Sequence, residues 1–427
     1  MSFNFGGTTA LGQSSMSTLG GLGQTPQFPQ PQVWPNRPDN NATHTPITVE
    51  GAPDDTVSAM NFSPKCDNGI TFMVASSWDG TTRLWQVNTQ NPGAVPKSEN
   101  KQNMPVLDNC WSSCGQKVYL ACSDNNAYCW DIATNNCRQI GVHQQPISCI
   151  NIIQVNGQDV IMTGSWDRTV KFWDGNNANP LFNLDMGYKV YGADACFPVA
   201  VTIGSEKKFS VINFADGTPR IMERDGKNAP WAEKLNHQYS CVTIFKNRQK
   251  NMAPDGFALG AMEGRASLTY FDEDERKKVD PKRGGSSNFS PNFAFKCHRI
   301  DNKDKPTEAY TINFIKFHPQ YQTLITAGSD GSYTFWDKEY RQKLGPTYSK
   351  NTTSGKPGKL MLNLPLTAGA ISPDGKLFIY ATGYDWSYGV EFSNLKANKP
   401  CIYIHPDFVD APYKEGQVNG LTPKQGN

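Results

Sequence analysis

The strongest constraint on this chain is a motif that recurs. Gly164-Ser165-Trp166-Asp167-Arg168-Thr169-Val170-Lys171-Phe172-Trp173-Asp174 reads as two short strands around a tight turn. Val170, Phe172 and, before the turn, Ile161 and Met162 are its apolar rungs. Asp167 falls in the turn, where a carboxylate accepts local backbone N–H groups. Near-copies stand at Ser77–Trp85, Cys122–Asp131 and Gly328–Asp337. Recurrence at roughly 40–45 residues is the spacing of four-stranded blades. One such sheet cannot bury both of its faces, so the copies must stack radially into an all-β propeller.

Seven blades are expected, their third strands ending at Trp85, Trp130, Trp173, Phe214, Phe271, Trp336 and Val390. The intervals are 45, 43, 41, 57, 65 and 54 residues, so the later blades carry insertions. Inner strands read Val57–Phe62, Val106–Trp111, Ile147–Ile150, Val190–Ala195, Ser240–Phe245, Ile312–Phe317 and Thr367–Ile371. Ser, Ala, Gly and Cys are frequent there, as crowding at a ring axis requires. Either Ile47-Thr48-Val49 or Cys401-Ile402-Tyr403-Ile404 can supply the outer strand of the last blade. The first is expected, because it leads directly into the first inner strand.

The propeller should occupy residues 46–405. Residues 1–45 are Gly, Ser, Thr, Gln and Pro with few apolar side chains; they cannot offset the entropy of ordering and should be a disordered tail. Residues 406–427 should be a loosely ordered tail. Charge is nearly balanced, 41 basic against 39 acidic residues, so nucleic-acid binding would need a local patch. The eleven cysteines show no C-x-x-C spacing and read as reduced thiols of an intracellular protein. Cys110 and Cys114 are too isolated for a zinc site, and no metal is expected. No signal pattern and no long uncharged apolar run suggests a membrane partner.

Histidines precede inner strands at His143, His237 and, across an insertion, His298. With Ser165, Asp167 and Trp173, His143 would form a buried polar network that holds the blade-three turn. A catalytic His-Asp-Ser reading is disfavoured because the spacing repeats, and a Ser beside a turn Asp is not a nucleophile elbow. No Walker loop, dinucleotide fingerprint or ligand cluster is present, so neither an enzyme nor a cofactor or small-molecule substrate is expected. Arg283-Gly284-Gly285-Ser286 lacks the strand and helix that phosphate cradling needs.

In a propeller the first-to-second and third-to-fourth strand loops share one face; the second-to-third turns and blade connections share the other. Blade five carries a long third-to-fourth insertion, Asp272 to about Asn292, that leads into Phe293-Ala294-Phe295-Lys296. The same loop of the next blade reads Trp336-Asp337-Lys338-Glu339-Tyr340-Arg341-Gln342-Lys343. Phe293, Phe295, Lys338, Arg341 and Lys343 should therefore lie close together. Aromatics beside cations suit single-stranded RNA; both phenylalanines are equally well read as core. On the opposite face Glu263-Gly264-Arg265 is the blade-five turn, with Glu263 in place of the usual Asp and Phe271 in place of the usual Trp. Arg265 is a candidate anchor for a partner's carboxylates.

Met162–Asp167, Gly256–Gly260, Glu263–Arg265, Phe295–Arg299, Gly328–Gly331, Phe335–Lys338 and Tyr384–Ser387 together resemble the WD-repeat mRNA export factors of the nuclear pore. The resemblance covers about residues 45–405. It implies a non-enzymatic seven-bladed adaptor of the nucleus, the nuclear envelope and the cytoplasm. Its implied partners are an acidic hairpin (GLEBS) of a Phe-Gly nucleoporin and poly(A) RNA, with spindle proteins in animals. By position, Arg265, beside Glu263, would meet the nucleoporin. Phe295, Trp336, Asp337, Lys338, Arg341 and Lys343 would form the RNA groove. The rival reading is a spindle or ubiquitin-ligase adaptor without RNA contact; a propeller hydrolase is the rival of another class. The Gln/Pro-rich N-terminus and the insertion before Asn292 depart from the family pattern.

Overall fold

The computed structural model describes residues 46–177, 179–222, 231, 234–273, 290–300, 306–348, 364–387, 389–390 and 399–405. The expectations for residues 1–45 and 406–427, for the charged run from Asp274 and for Arg283–Ser286 lie outside them. Seven four-stranded antiparallel sheets are present, as the repeat predicts. Blade one runs Val57–Phe62, Ile70–Ser77, Thr81–Asn88 and Gly93–Lys101. Blades two to six repeat this order along the chain.

Blade seven is stitched from both ends of the described chain. Its inner strands are Leu366–Ile371 and Phe378–Thr382. Cys401–His405 is the third strand and Ile47–Val49 the outer one, with Ile47 opposite Ile404 and Val49 opposite Ile402. The N-terminal segment thus closes the ring, as expected. The third strand does not end at Val390, which is exposed and outside any strand. Blades four and five end their third strands at Asn213 and Tyr270, one residue short of Phe214 and Phe271.

The core lies between blades. Each of seven apolar clusters joins one sheet to the next; that between blades two and three packs Tyr119, Ala121, Cys129 and Ile140 against Ile147 and Trp173. Period-two alternation sends one face of each strand to one neighbour and the other face to the next. Every blade is thus covered on both sides, and none is stable alone.

Polar atoms of the inner strands latch neighbours at the axis. Ser58, Ser148 and Ser240 donate to the carbonyls of Val106, Val190 and Ile312 in the following blades, at 2.6, 2.7 and 2.6 Å. Between them the latch is a carboxylate. Asp108 accepts the Ile150 N–H at 2.9 Å, and Asp194 the Ile244 N–H at 2.7 Å. At the seam of blades seven and one the corresponding hydroxyl, Thr367, finds no partner among the described residues. There the backbone ladder of Ile47–Val49 on Cys401–His405 holds the ring.

Candidate nucleic-acid and peptide interface

The histidine network is fully formed in blade three. The Trp173 indole N–H donates to the Thr163 hydroxyl at 2.8 Å. Thr163 lies 2.8 Å from His143 Nε2, and His143 Nδ1 lies 2.9 Å from the Asp167 carboxylate. With the Thr163 hydroxyl engaged as acceptor from Trp173, it donates to Nε2, and the neutral ring donates from Nδ1. Burial accordingly pushes His143 down to about 4, against the pull of Asp167. Burial would raise Asp167, but the Gln144 N–H, the Thr169 hydroxyl and His143 outweigh it and hold it at about 2. Ser165 braces the turn, donating to the Gln145 carbonyl at 2.9 Å and accepting the Asp167 N–H at 3.0 Å. These groups are saturated by one another, which suits a scaffold.

Blade six repeats the chain: Trp336 to Thr326 at 3.0 Å, Thr326 with His298 at 2.9 Å, and His298 with Asp330 at 2.8 Å. The threonine at the centre is absent from the expected set. Its signal was in the sequence, two residues before the last residue of the second strand, as Thr163-Gly164-Ser165 and Thr326-Ala327-Gly328.

Blade five departs from the expectation. His237 is exposed and not part of a buried network. Strand register places Leu235 in the slot of His143, Leu259 in that of Thr163 and Thr269, not Phe271, in that of Trp173. Leu235 and Leu259 share an apolar cluster, so no polar chain reaches the turn from within. Glu263 instead faces outward. One oxygen accepts the Asn236 N–H at 3.3 Å; the other lies 3.6 Å from His237 Nε2 and 3.8 Å from Arg265 Nε. Gly264, at φ +66°, lets this turn lie against the next segment: a Cβ there would come within 2.8 Å of the Cys297 carbonyl oxygen.

On the rim, Phe293–Lys296 is the outer strand of blade five, and it brings three aromatics and a guanidinium into one row. The Arg341 guanidinium stands 4.3 Å over the Phe293 ring, Phe293 and Phe295 are 6.1 Å apart, and Phe295 meets Trp336 at 4.6 Å. Arg341 is aimed by the carbonyls of Ser290 and Pro291, at 2.8 and 3.2 Å. Lys343 is exposed and lies opposite Trp336 in the blade-six ladder. Partial burial of its ammonium lowers its pKa.

Two residues of the expected groove stand elsewhere. Lys338 is buried between blades, its ammonium 5.0 Å over Phe245 and 5.8 Å over Tyr270 and paired with Glu339. A phosphate contact does not fit it, because the aliphatic stem runs inward to aromatic rings. Asp337 is also buried, and its carboxylate accepts the N–H groups of Glu339 and Tyr340 at 2.8 and 3.1 Å, holding the turn. Burial raises its pKa, against the Tyr340 N–H and Lys338.

Comparison with known proteins places this geometry. The model of the WD domain, G-beta repeat, matches residues 45–86, 135–174 and 296–337, which include the two complete His–Asp networks. The chain is 36% identical over 356 residues to "Protein Rae1" of Drosophila melanogaster, covering 83% of this chain and 92% of the relative. It belongs to the Rae1/mRNA export factor family. The "mRNA export factor" of Xenopus tropicalis is 37% identical over 83% of this chain and 88% of its own. Among solved structures, "Structure of U3-55K" superposes with a TM-score of 0.61 at 12% identity, over 84% of this chain and 98% of that one. That likeness shows the fold alone. Family membership accounts for the propeller but does not by itself assign the rim.

Proposed function

We propose that this chain is a non-enzymatic adaptor in poly(A) mRNA export, acting at the nuclear pore and passing between nucleus and cytoplasm. One surface takes single-stranded RNA and the opposite face a GLEBS-type acidic hairpin of a Phe-Gly nucleoporin. The observation that carries the reading is the row Arg341–Phe293–Phe295–Trp336 on a chain related to mRNA export factors. Aromatic faces accept stacked bases of any sequence, while Arg341 and Lys343 supply charge for the phosphates. A sequence-tolerant site is what bulk message requires. On the other face Glu263 pre-orients Arg265 for a partner carboxylate, the residue type an acidic hairpin offers. The His-Asp pairs serve architecture, since both recur and both are closed by Thr and Trp.

Arg341→Glu tests the rim without touching the core. Retention of oligoadenylate should fall about tenfold or more while the melting temperature stays put; parent-like retention would reject the RNA assignment.

A further inference from the structure

A second cluster of aromatics and cations lies on the face that carries the first-to-second strand loops. In blade four Phe197 stands in this loop, between Val190–Cys196 and Val199–Gly204, and is 41% exposed. Blade five contributes Lys246 and the exposed turn Arg248-Gln249-Lys250. Blade six contributes Tyr321, 39% exposed. Lys246 sits beside the Cys196 thiol, next to Phe197, and its own N–H donates to Gln322 Oε1 at 2.7 Å. The Arg248 guanidinium lies 5.7 Å over the Tyr321 ring.

Tyr321 is held beside His318. Its N–H donates to His318 Nδ1 at 3.1 Å, and the two rings are tilted with centroids 4.9 Å apart. Asn247 caps the basic turn, accepting the Gln249 N–H at 2.9 Å. The nearby carboxylates are engaged: Asp255 by the Asn247 amide at 3.2 Å, and Asp374 by Thr89 and Ser372, both at 2.6 Å. Two exposed rings thus flank three cations across three adjacent blades.

We propose that these loops form a second single-stranded RNA platform, with bases stacked on Phe197 and Tyr321 and phosphates met by Lys246, Arg248 and Lys250. The proposal rests on the reading of RNA as a ligand. Within a blade the first-to-second and third-to-fourth loops are two strand spacings apart, about 10 Å. An RNA strand leaving Arg341 and Phe293 reaches Tyr321 along the same face. Bound RNA would then run from the rim toward the axis, and affinity would grow with its length.

The test uses the full chain with oligoadenylates of about 4 and about 16 nucleotides. Arg248→Glu with Lys250→Glu should leave the short oligomer bound as in the parent. It should weaken the long one about tenfold or more and reduce the salt slope by roughly 1.4, two phosphate contacts at about 0.7 each. Tyr321→Ala should weaken the long oligomer and Tyr321→Phe restore it, since stacking needs the ring and not the hydroxyl. Parent-like affinity and slope in the double variant would overturn the platform. So would displacement of the long RNA by polyglutamate as readily as by oligoadenylate, which would assign the patch to an acidic protein. The rim is judged separately. If short oligomers ignore Arg341→Glu while long ones depend on Arg248 and Lys250, the rim reading fails and the platform stands.

Discussion

Blades three and five are built on one plan and use their second-to-third turn in opposite ways. In blade three the turn carboxylate, Asp167, is drawn inward by His143, and the chain continues through Thr163 to Trp173. In blade five leucines fill the histidine and threonine slots, and the carboxylate of Glu263 turns outward to His237 and Arg265. The polar lock and an outward-facing turn carboxylate are thus alternatives. A carboxylate consumed by a buried histidine cannot orient a surface arginine. Once apolar packing replaces the lock, the side chain is left beside His237 and Arg265 at the surface. Blade six shows a mixture: its lock holds one edge of Trp336 through Thr326 while the ring meets Phe295 on the rim.

If blade three depends on its lock, the largest effect should come from Trp173→Ala. The ring is fully buried, and a Cβ on Gly141 would come within 2.8 Å of it, so little space exists for collapse. The expected loss is about 3–5 kcal/mol from the cavity and the lost indole hydrogen bond to Thr163 together. Thr269→Ala, in the equivalent slot of blade five, should cost on the order of 1 kcal/mol. Urea midpoints of the two variants give the comparison, and equal losses would break it.

Acid should find the lock in the same way. The folded pKa of His143 is depressed to about 4 from an ordinary 6.5. Over that window the unfolded chain binds a proton that the folded chain refuses, so stability falls as pH drops from 6.5 to 4. His143 contributes on the order of 2–3 kcal/mol of that fall. His318, also lowered by burial to about 4, adds to it. Asp108 acts in the opposite sense, since burial raises it to about 6 and its folded form gains a proton first. Both are common to parent and variant. The difference between parent and His143→Gln across the window therefore isolates the lock, and parallel curves would show that the ring is not held neutral.

The number of blades is legible because third-strand ends recur at 41–45 residues over the first four blades, the turn motif returns in blade six, and the longer later intervals leave room for one blade each. What escaped was register. Counting six residues from the turn carboxylate links Asp167 to Trp173 and Asp330 to Trp336, and it links Glu263 to Thr269; the more conspicuous Phe271 lies beyond. The last third strand is hard to find in the sequence because it begins only at Cys401, far along the chain from its partner's end at Thr382, although Cys401-Ile402-Tyr403-Ile404 reads as a strand. At the rim, the meeting of Phe295 with Trp336 followed from blade order. The burial of Lys338 did not, because the rings that receive it, Phe245 and Tyr270, belong to the neighbouring blade. Local charge pattern carries no information about such an interface.

The smallest predicted effect on stability is the one that separates the two uses of the turn. Glu263→Gln keeps length and hydrogen bonding but removes the charge. No buried histidine depends on that charge, and the ion pair with Arg265 is long and partly exposed, so stability should change by no more than about 0.5 kcal/mol. An acidic nucleoporin peptide should nonetheless respond, because Arg265 loses the group that orients it while a neighbouring negative charge disappears. These act in opposite directions on affinity but in one direction on its salt dependence. With the neutralising carboxylate gone, the turn carries more positive charge, and binding should become more sensitive to ionic strength. A titration of the peptide at low and moderate salt reads this directly. A large loss of stability with unaltered salt dependence would return Glu263 to the class of Asp167, as a lock rather than a guide.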